Sequence, residues 1–365
     1  MSEGKVKRKI IFLIFAAVMV VAGGCGTDGG DTEASRDLFA MDTYMTVTAY
    51  GKGATEDGKE ITKEEAMTLA EADLDELCQA ADEISRLDQL LSTGNEDSEI
   101  YKINQSGDGI LSEETAYLVE RSLDLYEATD GAFDIAIYPV MKVWGFTDDN
   151  FRAPDADELK DLLTLTDASD ISYDKETSQI VFKKDGMQID FGGIAKGYTS
   201  ARIMDIFRAC GIKSGLVNLG GNVQALGTKK DGSSWRVAVQ DPQDTDQYLG
   251  VLSIQDKAVI TSGGYERYFE QDGRTYHHII DPKTGYPVEN GLISVSIVTA
   301  DGTLADGLST SVFIMGKEAA TEYWRNHSDE FDMILMTDDR EIYVTEGIAD
   351  SFESEMDTKI IEKKV

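Results

Sequence analysis

Two side chains toward the C-terminal end of the chain have the types and the spacing of a magnesium site. Asp306 and Thr310 stand four residues apart in a segment of helical apolar spacing, so both lie on one face of the predicted helix. Their carboxylate and hydroxyl oxygens are hard donors that suit Mg²⁺, whose coordination is commonly completed by water and substrate phosphates. A packing aspartate and a threonine that bonds its own helix backbone give the same pattern. Taken alone, the pair leaves both interpretations open.

The segment Asp190–Tyr198 has the composition of a loop that approaches an anion. A predicted strand ends there, Gly192 and Gly193 follow, and Lys196 falls in the first turn of the next predicted helix. Glycines allow close backbone approach to a ligand, and a helix start presents free N–H groups to negative charge. The spacing matches neither a Walker A loop nor a dinucleotide fingerprint. A strand-to-helix turn without a ligand has the same composition, so an anion site is one of two interpretations.

Two of the three histidines in the chain, His277 and His278, are adjacent. Neighbouring residues of a strand face opposite sides, so one of these rings can face a site while the other is exposed. Histidine titrates near neutral pH and can therefore move a proton in a reaction. A structural histidine with both ring nitrogens hydrogen-bonded explains the residues equally well.

The elements that must position these residues are helices and strands in mixed order. Apolar spacing predicts a strand over Leu38–Tyr50 and a long amphipathic helix over residues 74–91. Further helices are predicted from Ser112 to Gly131, from Ala195 to Cys210 and through Leu304–Met315. Short strands are predicted at Ile171–Tyr173, Gln179–Phe182, Met187–Asp190 and Leu292–Thr299, with others between Leu216 and Ile280. Because strands and helices do not alternate strictly, the sequence predicts an α+β fold.

The charge balance of the chain restricts its partners. The 365 residues include 34 basic and 68 acidic side chains, which give a formal net charge of −34. This charge argues against a nucleic-acid partner, because such binding needs concentrated positive charge. A phosphate-bearing ligand would also be repelled unless a metal ion or a few placed Lys and Arg side chains met it. The hydrophobic content of 41% is enough for one large domain or two intimate subdomains.

The N-terminal segment has the features of an export signal. Basic residues between positions 5 and 9 precede the apolar run Ile10–Ala22, and two glycines come directly before Cys25. These features predict a lipoprotein signal peptide over residues 1–24, with Cys25 lipidated and the protein anchored at the extracytoplasmic side of the cell membrane. An ordinary signal peptide followed by an incidental cysteine is the alternative. Residues 25–36 are then predicted to be a flexible tether, and residues 37–365 the folded domain.

Together, in their order and spacing, the chemical segments resemble the ApbE family of FAD:protein FMN transferases. The resemblance runs from about Met41 to about Gly316. The matching segments are Met41–Thr43, Ser98–Asn104, Gly131–Asp134, Trp144–Phe146, Asp190–Tyr198, Leu219–Asn222, Thr261–Tyr268, His278–Pro287 and Ala305–Thr310. The resemblance implies an ApbE-like fold of mixed helices and antiparallel sheets, forming one compact domain of two intimate subdomains.

The resemblance also implies an activity, the Mg²⁺-dependent transfer of FMN from FAD to a Thr or Ser hydroxyl of an acceptor protein, with release of AMP. Asp306 and Thr310 match side-chain magnesium ligands, and the carbonyl of Gly193 matches a main-chain ligand. His278 matches a histidine that matters for transfer and is the first candidate for the proton step, with Asp306 the second. The residues expected to contact FAD are Met41, Ala132, Phe133, Asp134, Asp190, Lys196, Ile280 and Ser309.

One position departs from the family pattern. Family members often carry an aromatic residue shortly after a serine near the end of the long N-terminal helix, whereas here Ser92 is followed by Thr93 and Gly94. Without a ring at Gly94, water has freer access to the phosphates, so the balance between transfer and hydrolysis of FAD stays open. A Mg²⁺-dependent FAD pyrophosphatase and a non-catalytic FAD-binding lipoprotein are therefore alternative functions.

Overall fold

A computed structural model of the chain describes residues 33–50, 63–229 and 231–363. The predicted signal peptide and Cys25 lie outside the described residues. Residues 33–36 of the predicted tether belong to the first strand, because each of them pairs with a residue of the second strand. Within the described ranges, none of the helices has the length and apolar character that a membrane span needs, and Cys78 and Cys210 form no disulfide.

The described helices and strands follow one another in mixed order. The helices are α1 (Lys63–Leu91), α2 (Glu99–Ser106), α3 (Glu113–Ala128), α4 (Tyr138–Trp144), α5 (Ala156–Leu162), α6 (Ala195–Cys210) and α7 (Gly302–Asn326). The first nine strands are β1 (Glu33–Ala40), β2 (Thr43–Tyr50), β3 (Asp108–Ile110), β4 (Ile171–Asp174), β5 (Gln179–Phe182), β6 (Ser214–Leu219), β7 (Asn222–Leu226), β8 (Trp235–Asp241) and β9 (Asp244–Ile254). The others are β10 (Ala258–Gly263), β11 (Tyr268–Gln271), β12 (Arg274–His277), β13 (Leu292–Thr299), β14 (Asp332–Thr337), β15 (Ile342–Thr345), β16 (Phe352–Glu353) and β17 (Thr358–Ile361).

Nine strands form the central sheet in the order β1-β2-β6-β7-β10-β13-β14-β15-β17. Neighbouring strands are antiparallel except β15 and β17, which are parallel. Smaller sheets are formed by β16-β9-β8, by β3-β5-β4 and by the two-stranded ribbon β11-β12. Helices combined with largely antiparallel sheets confirm the predicted α+β class.

Both faces of the central sheet are covered, and successive residues of its strands pack on opposite faces. Ile260 on β10 and Ile297 on β13 pack on the side of α7, in the same cluster as Leu308. Val259 and Val298, one position away on the same strands, pack against the small sheet β16-β9-β8. Successive side chains of a strand point to opposite faces, so a strand covered on both sides is apolar at successive positions. Helix α7 is thereby fixed against the middle of the sheet.

The prediction of one strand over Leu38–Tyr50 is wrong, because the segment is a hairpin. Strands β1 and β2 pair in antiparallel register, and the turn between them consists of Met41 and Asp42. Both residues have positive φ, 48° for Met41 and 58° for Asp42, as the two central residues of a type I′ hairpin turn do. Neither is glycine, so the alternating pattern alone gave no signal of the turn.

The strand predicted at Met187–Asp190 is also absent from the described structure, although its backbone is bonded. The side chain of Asn104 takes the place of a neighbouring strand: its Oδ1 accepts from the Ile189 N–H at 2.7 Å and its Nδ2 donates to the Ile189 carbonyl at 2.8 Å. The Asp190 N–H donates to the Ile135 carbonyl at 2.9 Å. A side-chain amide satisfies these groups without forming a ladder, which the apolar pattern of the segment cannot reveal.

Helix α6 has the predicted bounds, whereas α7 is longer than predicted. Gly211, with φ of 82°, caps the end of α6. Helix α7 was predicted to end near Met315, and Gly316 does kink it with φ of 77°. The helix continues because Ala320 and Trp324 beyond the kink are buried in the same core as its first half. Burial of the residues beyond the kink therefore outweighs the destabilising effect of Gly316 on the helix.

Candidate active site

Asp306 lies in the second turn of α7 and is buried against the start of α6. Its Oδ2 accepts from the Gly197 N–H at 2.8 Å, and its Oδ1 accepts from Asn222 Nδ2 at 3.1 Å. A Cβ atom at Gly197 would lie 2.1 Å from the carbonyl oxygen of Gly302, so only glycine permits the two helices to come this close. Each carboxylate oxygen keeps a lone pair after these bonds, which leaves it able to bind a cation.

Hydroxyl groups surround the next turn of the same helix. Ser309 Oγ donates to the Asp306 carbonyl at 2.8 Å and lies 2.8 Å from Ser262 Oγ on β10. Ser262 Oγ is also 3.4 Å from Thr310 Oγ1. Thr310 is partly accessible whereas Ser309 is fully buried. Thr310 is therefore the hydroxyl residue that a ligand can reach, and Ser309 links α7 to β10.

The predicted main-chain ligand lies beside these side chains. A Cβ atom at Gly193 would be 3.8 Å from Thr310 Oγ1 and 3.2 Å from the Phe133 ring. Among the described residues, no group of three or more His, Cys, Asp or Glu side chains is arranged to hold a metal ion. The side-chain donors are one carboxylate and one hydroxyl, and Gly193, whose carbonyl is the predicted main-chain ligand, lies beside the hydroxyl. This all-oxygen set suits Mg²⁺, which leaves positions for substrate phosphates.

Charged side chains line the space next to the predicted metal ligands. Burial raises the pKa of the Glu266 carboxyl to about 7; Lys196 lowers this pKa and Asp306 raises it further. Burial also raises the pKa of Asp190, which is lowered in turn by the hydrogen bond from the Gly192 N–H and by the charges of Lys196 and Arg267. The charge of Lys196 thus acts on two carboxylates that belong to different segments of the chain. A cation there can meet the negative charge of a phosphate ligand.

The two neighbouring histidines differ in their hydrogen bonds. His277 Nδ1 accepts from the Ile279 N–H at 3.2 Å, and its Nε2 donates to the Val288 carbonyl at 2.9 Å, so both of its ring nitrogens are used. His278 Nδ1 lies 3.2 Å from the Arg267 carbonyl and must donate to it, which leaves the lone pair on Nε2. His277 is therefore structural, and His278 is the histidine able to accept a proton.

Burial lowers the pKa of His278 to about 3, and the positive charges of Arg267 and Lys196 lower it further, against the hydrogen bond to the Arg267 carbonyl. The imidazole is therefore neutral at physiological pH. A neutral ring with a free Nε2 is the form that a general base requires. Anions bound near Lys196 and Arg267 would offset their charge and raise this pKa.

Both carboxylate oxygens of Asp134 accept hydrogen bonds from backbone N–H groups. Its Oδ1 accepts from the Ala136 N–H at 2.7 Å and caps a short 3-10 helix, and its Oδ2 accepts from the Ala168 N–H at 3.3 Å. Burial raises its pKa to about 7. Ala132 and Phe133 precede it and are buried, with the Phe133 ring against Gly193. The predicted role of this segment as a pocket lining stays a prediction, with Phe133 its member next to the metal ligands.

Met41 and Ile280 lie at the margins of the site. The Met41 N–H donates to Asp88 Oδ1 at 3.1 Å, and Met41 Sδ lies 3.8 Å from Thr199 Oγ1 on α6. The hairpin turn is thereby fixed to two helices. Ile280 is buried in a cluster with Trp144 and Phe269, two residues along from His278. FAD contacts of both residues stay predictions.

Three residues of this site were not singled out by sequence reasoning. Asn222 bonds the carboxylate of Asp306, Glu266 lies near Lys196, and Arg267 orients His278. Each falls in a segment that the family resemblance marked, either Leu219–Asn222 or Thr261–Tyr268. A segment match alone does not say which side chain faces the site, because that depends on the pairing of strands far apart in sequence.

The chain was compared with known proteins. A profile described as the ApbE family matches residues 41–335. A protein named FAD:protein FMN transferase from Klebsiella pneumoniae (strain 342) is 34% identical over 72% of this chain and 82% of its own length. Another of that name, from Treponema pallidum (strain Nichols), is 32% identical over 92% of this chain and 93% of its own length.

Solved structures agree with these sequence relationships. The crystal structure of the ApbE protein from Thermotoga maritima superposes with a TM-score of 0.77 at 29% identity, covering 88% of this chain and 99% of that one. The apo form of Pseudomonas stutzeri flavinyl transferase ApbE superposes with a TM-score of 0.74 at 27% identity, covering 90% and 99% of the two chains. The family profile spans most of the chain, and the relatives cover most of its length. This chain belongs to the ApbE family.

Proposed function

We propose that this chain transfers FMN from FAD to a Thr or Ser hydroxyl of an acceptor protein in a Mg²⁺-dependent reaction that releases AMP. Two relatives with more than 30% identity carry the name FAD:protein FMN transferase. The structural observation that carries the proposal is that Thr310, one turn after Asp306 on α7, lies beside Gly193, while the charge of Lys196 acts on His278. Oxygen donors, a cation and a neutral histidine are the groups that transfer from a pyrophosphate requires.

The metal would be held by the Asp306 carboxylate, the Thr310 hydroxyl and the Gly193 carbonyl. When bound, Mg²⁺ would neutralise phosphate charge and stabilise the leaving phosphate. Asp306 is already oriented for this role by the Gly197 N–H and by Asn222 Nδ2. A ligand fixed before the ion arrives loses little freedom on binding it.

The remaining chemistry belongs to the side chains beside the metal ligands. The acceptor oxygen forms a bond to the FMN-side phosphorus, the bond from that phosphorus to the bridging oxygen breaks, and AMP leaves with the bridging oxygen. His278 Nε2 would accept the hydroxyl proton, since Nδ1 is committed to the Arg267 carbonyl. Asp306 is the second candidate for this proton, and its two hydrogen bonds make it the poorer base. Lys196 would bind the pyrophosphate.

The location of the protein is part of the same proposal. Cys25 and the segment before it predict a lipid anchor, so the domain would face the extracytoplasmic side of the cell membrane. Its acceptor would then be an extracytoplasmic flavoprotein with an accessible Thr or Ser. The net charge of −34 argues against nucleic acid as a partner.

An FAD pyrophosphatase is the second candidate, and one observation favours it. A Cβ atom at Gly94 would meet no protein atom within 4 Å, so the residue leaves open space at the end of α1. Water that enters there competes with the acceptor hydroxyl. A non-catalytic FAD-binding lipoprotein is the third candidate and predicts flavin binding without AMP.

These functions are separated by one experiment on the full chain in detergent. The protein is incubated with FAD and Mg²⁺, with and without a candidate extracytoplasmic acceptor, and both AMP and flavin retained on denatured acceptor are measured. Transfer predicts covalent flavin on the acceptor and an acceptor-dependent release of AMP in at least the same amount, any excess being hydrolysis. AMP without covalent flavin on any acceptor would identify the pyrophosphatase, and flavin binding without AMP would identify the carrier.

A further inference from the structure

Arg267 lies directly opposite His278 at the base of the β11-β12 ribbon. Its carbonyl accepts from the His278 backbone N–H at 3.0 Å and from His278 Nδ1 at 3.2 Å. The backbone of Arg267 therefore fixes the tautomer of His278, whatever side chain the residue carries. A change of the guanidinium leaves this arrangement in place, so the role of the side chain can be tested separately.

Residues directly opposite each other in an antiparallel pair project from the same face, so the Arg267 side chain leaves the ribbon beside the His278 ring. The charges of Arg267 and Lys196 both lower the pKa of Asp190 and of His278. Lys196 is in the first turn of α6, and Arg267 directly precedes β11. Two cations from separate elements thus act on the ring that is able to accept a proton.

No carboxylate in the described structure lies within hydrogen-bonding distance of the Arg267 guanidinium. Its nearest ion-pair contact is Asp149, at 3.9 Å from the guanidinium nitrogen to Oδ1, and both side chains are more than 40% exposed. Such a contact contributes little to stability and does not saturate the five N–H donors of the group. The guanidinium has donors available for a further anion.

The chain as a whole would repel such an anion. With a net charge of −34, it can bind a pyrophosphate only where cations are concentrated. Arginine suits phosphate oxygens because its planar donors form paired, charge-assisted hydrogen bonds. A pyrophosphate held by both Lys196 and Arg267 would lie near His278, since both charges act on its ring.

We propose that Arg267 is a second phosphate-binding residue of the site, which together with Lys196 holds the pyrophosphate of FAD beside His278. This inference rests on the proposed function. It assigns the Arg267 side chain to substrate binding and its backbone to the orientation of the base. Recognition of phosphate by Arg267 would favour FAD over riboflavin.

The test compares the full-length wild type with R267Q, R267K and R274Q. Arg274 is on the same ribbon and pairs with the exposed Glu289, so R274Q removes one positive charge away from the site. Binding of FAD, ADP and riboflavin is measured without acceptor, at several salt concentrations. R267Q should weaken binding of FAD and ADP about 10- to 100-fold, as expected for loss of charge-assisted hydrogen bonds, and leave riboflavin binding unchanged. R267K should recover part of the loss, and R274Q should bind like the wild type.

The results of these measurements test the role of Arg267 separately from the proposed transferase function. Unchanged affinity of R267Q for FAD and ADP overturns it, as does an equal loss for riboflavin, which would indicate a structural role. Affinity losses confined to FAD and ADP, with a weaker salt dependence, support it. If the wild type binds FAD but releases no AMP, the transferase proposal fails while the affinities still decide the role of Arg267. If the wild type binds no FAD, both fail.

Discussion

At the scale of single residues, Asp306 connects the proposed metal site to the packing of the protein. Its carboxylate accepts from the Gly197 N–H and from Asn222, and the same oxygens are the proposed ligands of Mg²⁺. Removing the side chain would leave two buried donors without a partner. Loss of function and loss of stability should therefore occur together at this position.

Asp306→Ala should abolish AMP release and Mg²⁺-dependent FAD binding. It should also lower the free energy of unfolding by about 1–3 kcal/mol, the cost of leaving a buried polar group unsatisfied. Asp306→Asn keeps the size of the side chain and should retain more stability while still losing Mg²⁺ dependence. The measurements are FAD titrations with and without Mg²⁺ and chemical denaturation of both variants. Full AMP release by either variant at low Mg²⁺ would contradict the ligand role.

Asp134 predicts a pH dependence of stability. Burial raises its pKa to about 7 in the folded protein, above the value of 3.8 for an exposed aspartate. The folded state therefore binds this proton more tightly, so the contribution of Asp134 to stability is greatest below about pH 4 and is lost as pH rises through 7. The loss amounts to about 2–4 kcal/mol. In Asp134→Asn this loss should be absent.

The measurement is the difference in melting temperature between Asp134→Asn and the wild type from pH 5 to pH 8. This difference should shift in favour of the variant as pH rises, even though the amide loses one of the two hydrogen bonds. Asp185→Asn, at an exposed position, is the matched control for the change of charge. A difference that stays constant with pH would show that Asp134 is ionised across the whole range.

At the scale of secondary-structure elements, the close approach of α6 and α7 builds the site. Alanine in place of a helical glycine usually stabilises a helix by up to about 1 kcal/mol. At Gly197 the added Cβ would lie 2.1 Å from the Gly302 carbonyl oxygen and 2.5 Å from Asp306 Cβ. Gly197→Ala should instead destabilise the protein by about 1–3 kcal/mol, because the helices must separate.

Separation of the helices should also weaken Mg²⁺-dependent FAD binding, because the hydrogen bond from the Gly197 N–H to Asp306 would be strained. Thermal unfolding and FAD titration measure the two effects. Gly94→Ala, where an added Cβ meets no atom within 4 Å, is the control and should leave stability within about 0.5 kcal/mol of the wild type. A Gly197→Ala variant as stable as the wild type would show that α6 and α7 are not in close contact.

The loop after α1 is expected to control the access of water to the proposed site. A Cβ atom at Gly94 would meet no atom within 4 Å, so the side chain of Gly94→Tyr would start in open space. With water excluded, AMP released without transfer should fall relative to covalent flavin on the acceptor. The ratio of the two products, for wild type and variant, is the measurement. An unchanged ratio at equal FAD affinity would mean that Gly94 does not control the access of water.

At the scale of the whole molecule, the proposed anchor determines where the reaction takes place. If Cys25 is lipidated, Cys25→Ala should move the protein from the membrane fraction to a soluble or uncleaved form. Fractionation and the mass of the N-terminal peptide measure this. The activity of the solubilised variant should match the wild type, since the described domain begins in strand β1. A processed Cys25→Ala protein that still requires detergent for extraction would rule out the lipid anchor.

The helices and strands that were predicted correctly depend on signals from neighbouring residues. The bounds of α6 follow from its apolar spacing and from Gly211, and β13 spans the predicted residues Leu292–Thr299. The order and spacing of the chemical segments predicted the ApbE family, which the comparisons confirm. These features are readable because each depends on residues a few positions apart.

Only the tertiary structure decided the features that join distant residues. The Met41–Asp42 turn splits one predicted strand, and Asn104 replaces a strand beside Ile189, 85 residues away. Which histidine is able to accept a proton depends on Arg267, across the ribbon from His278. The sequence predicts which side chains belong to the site, but their orientation is set by strand register and helix contacts. Those arise from burial of the whole core and leave no local pattern.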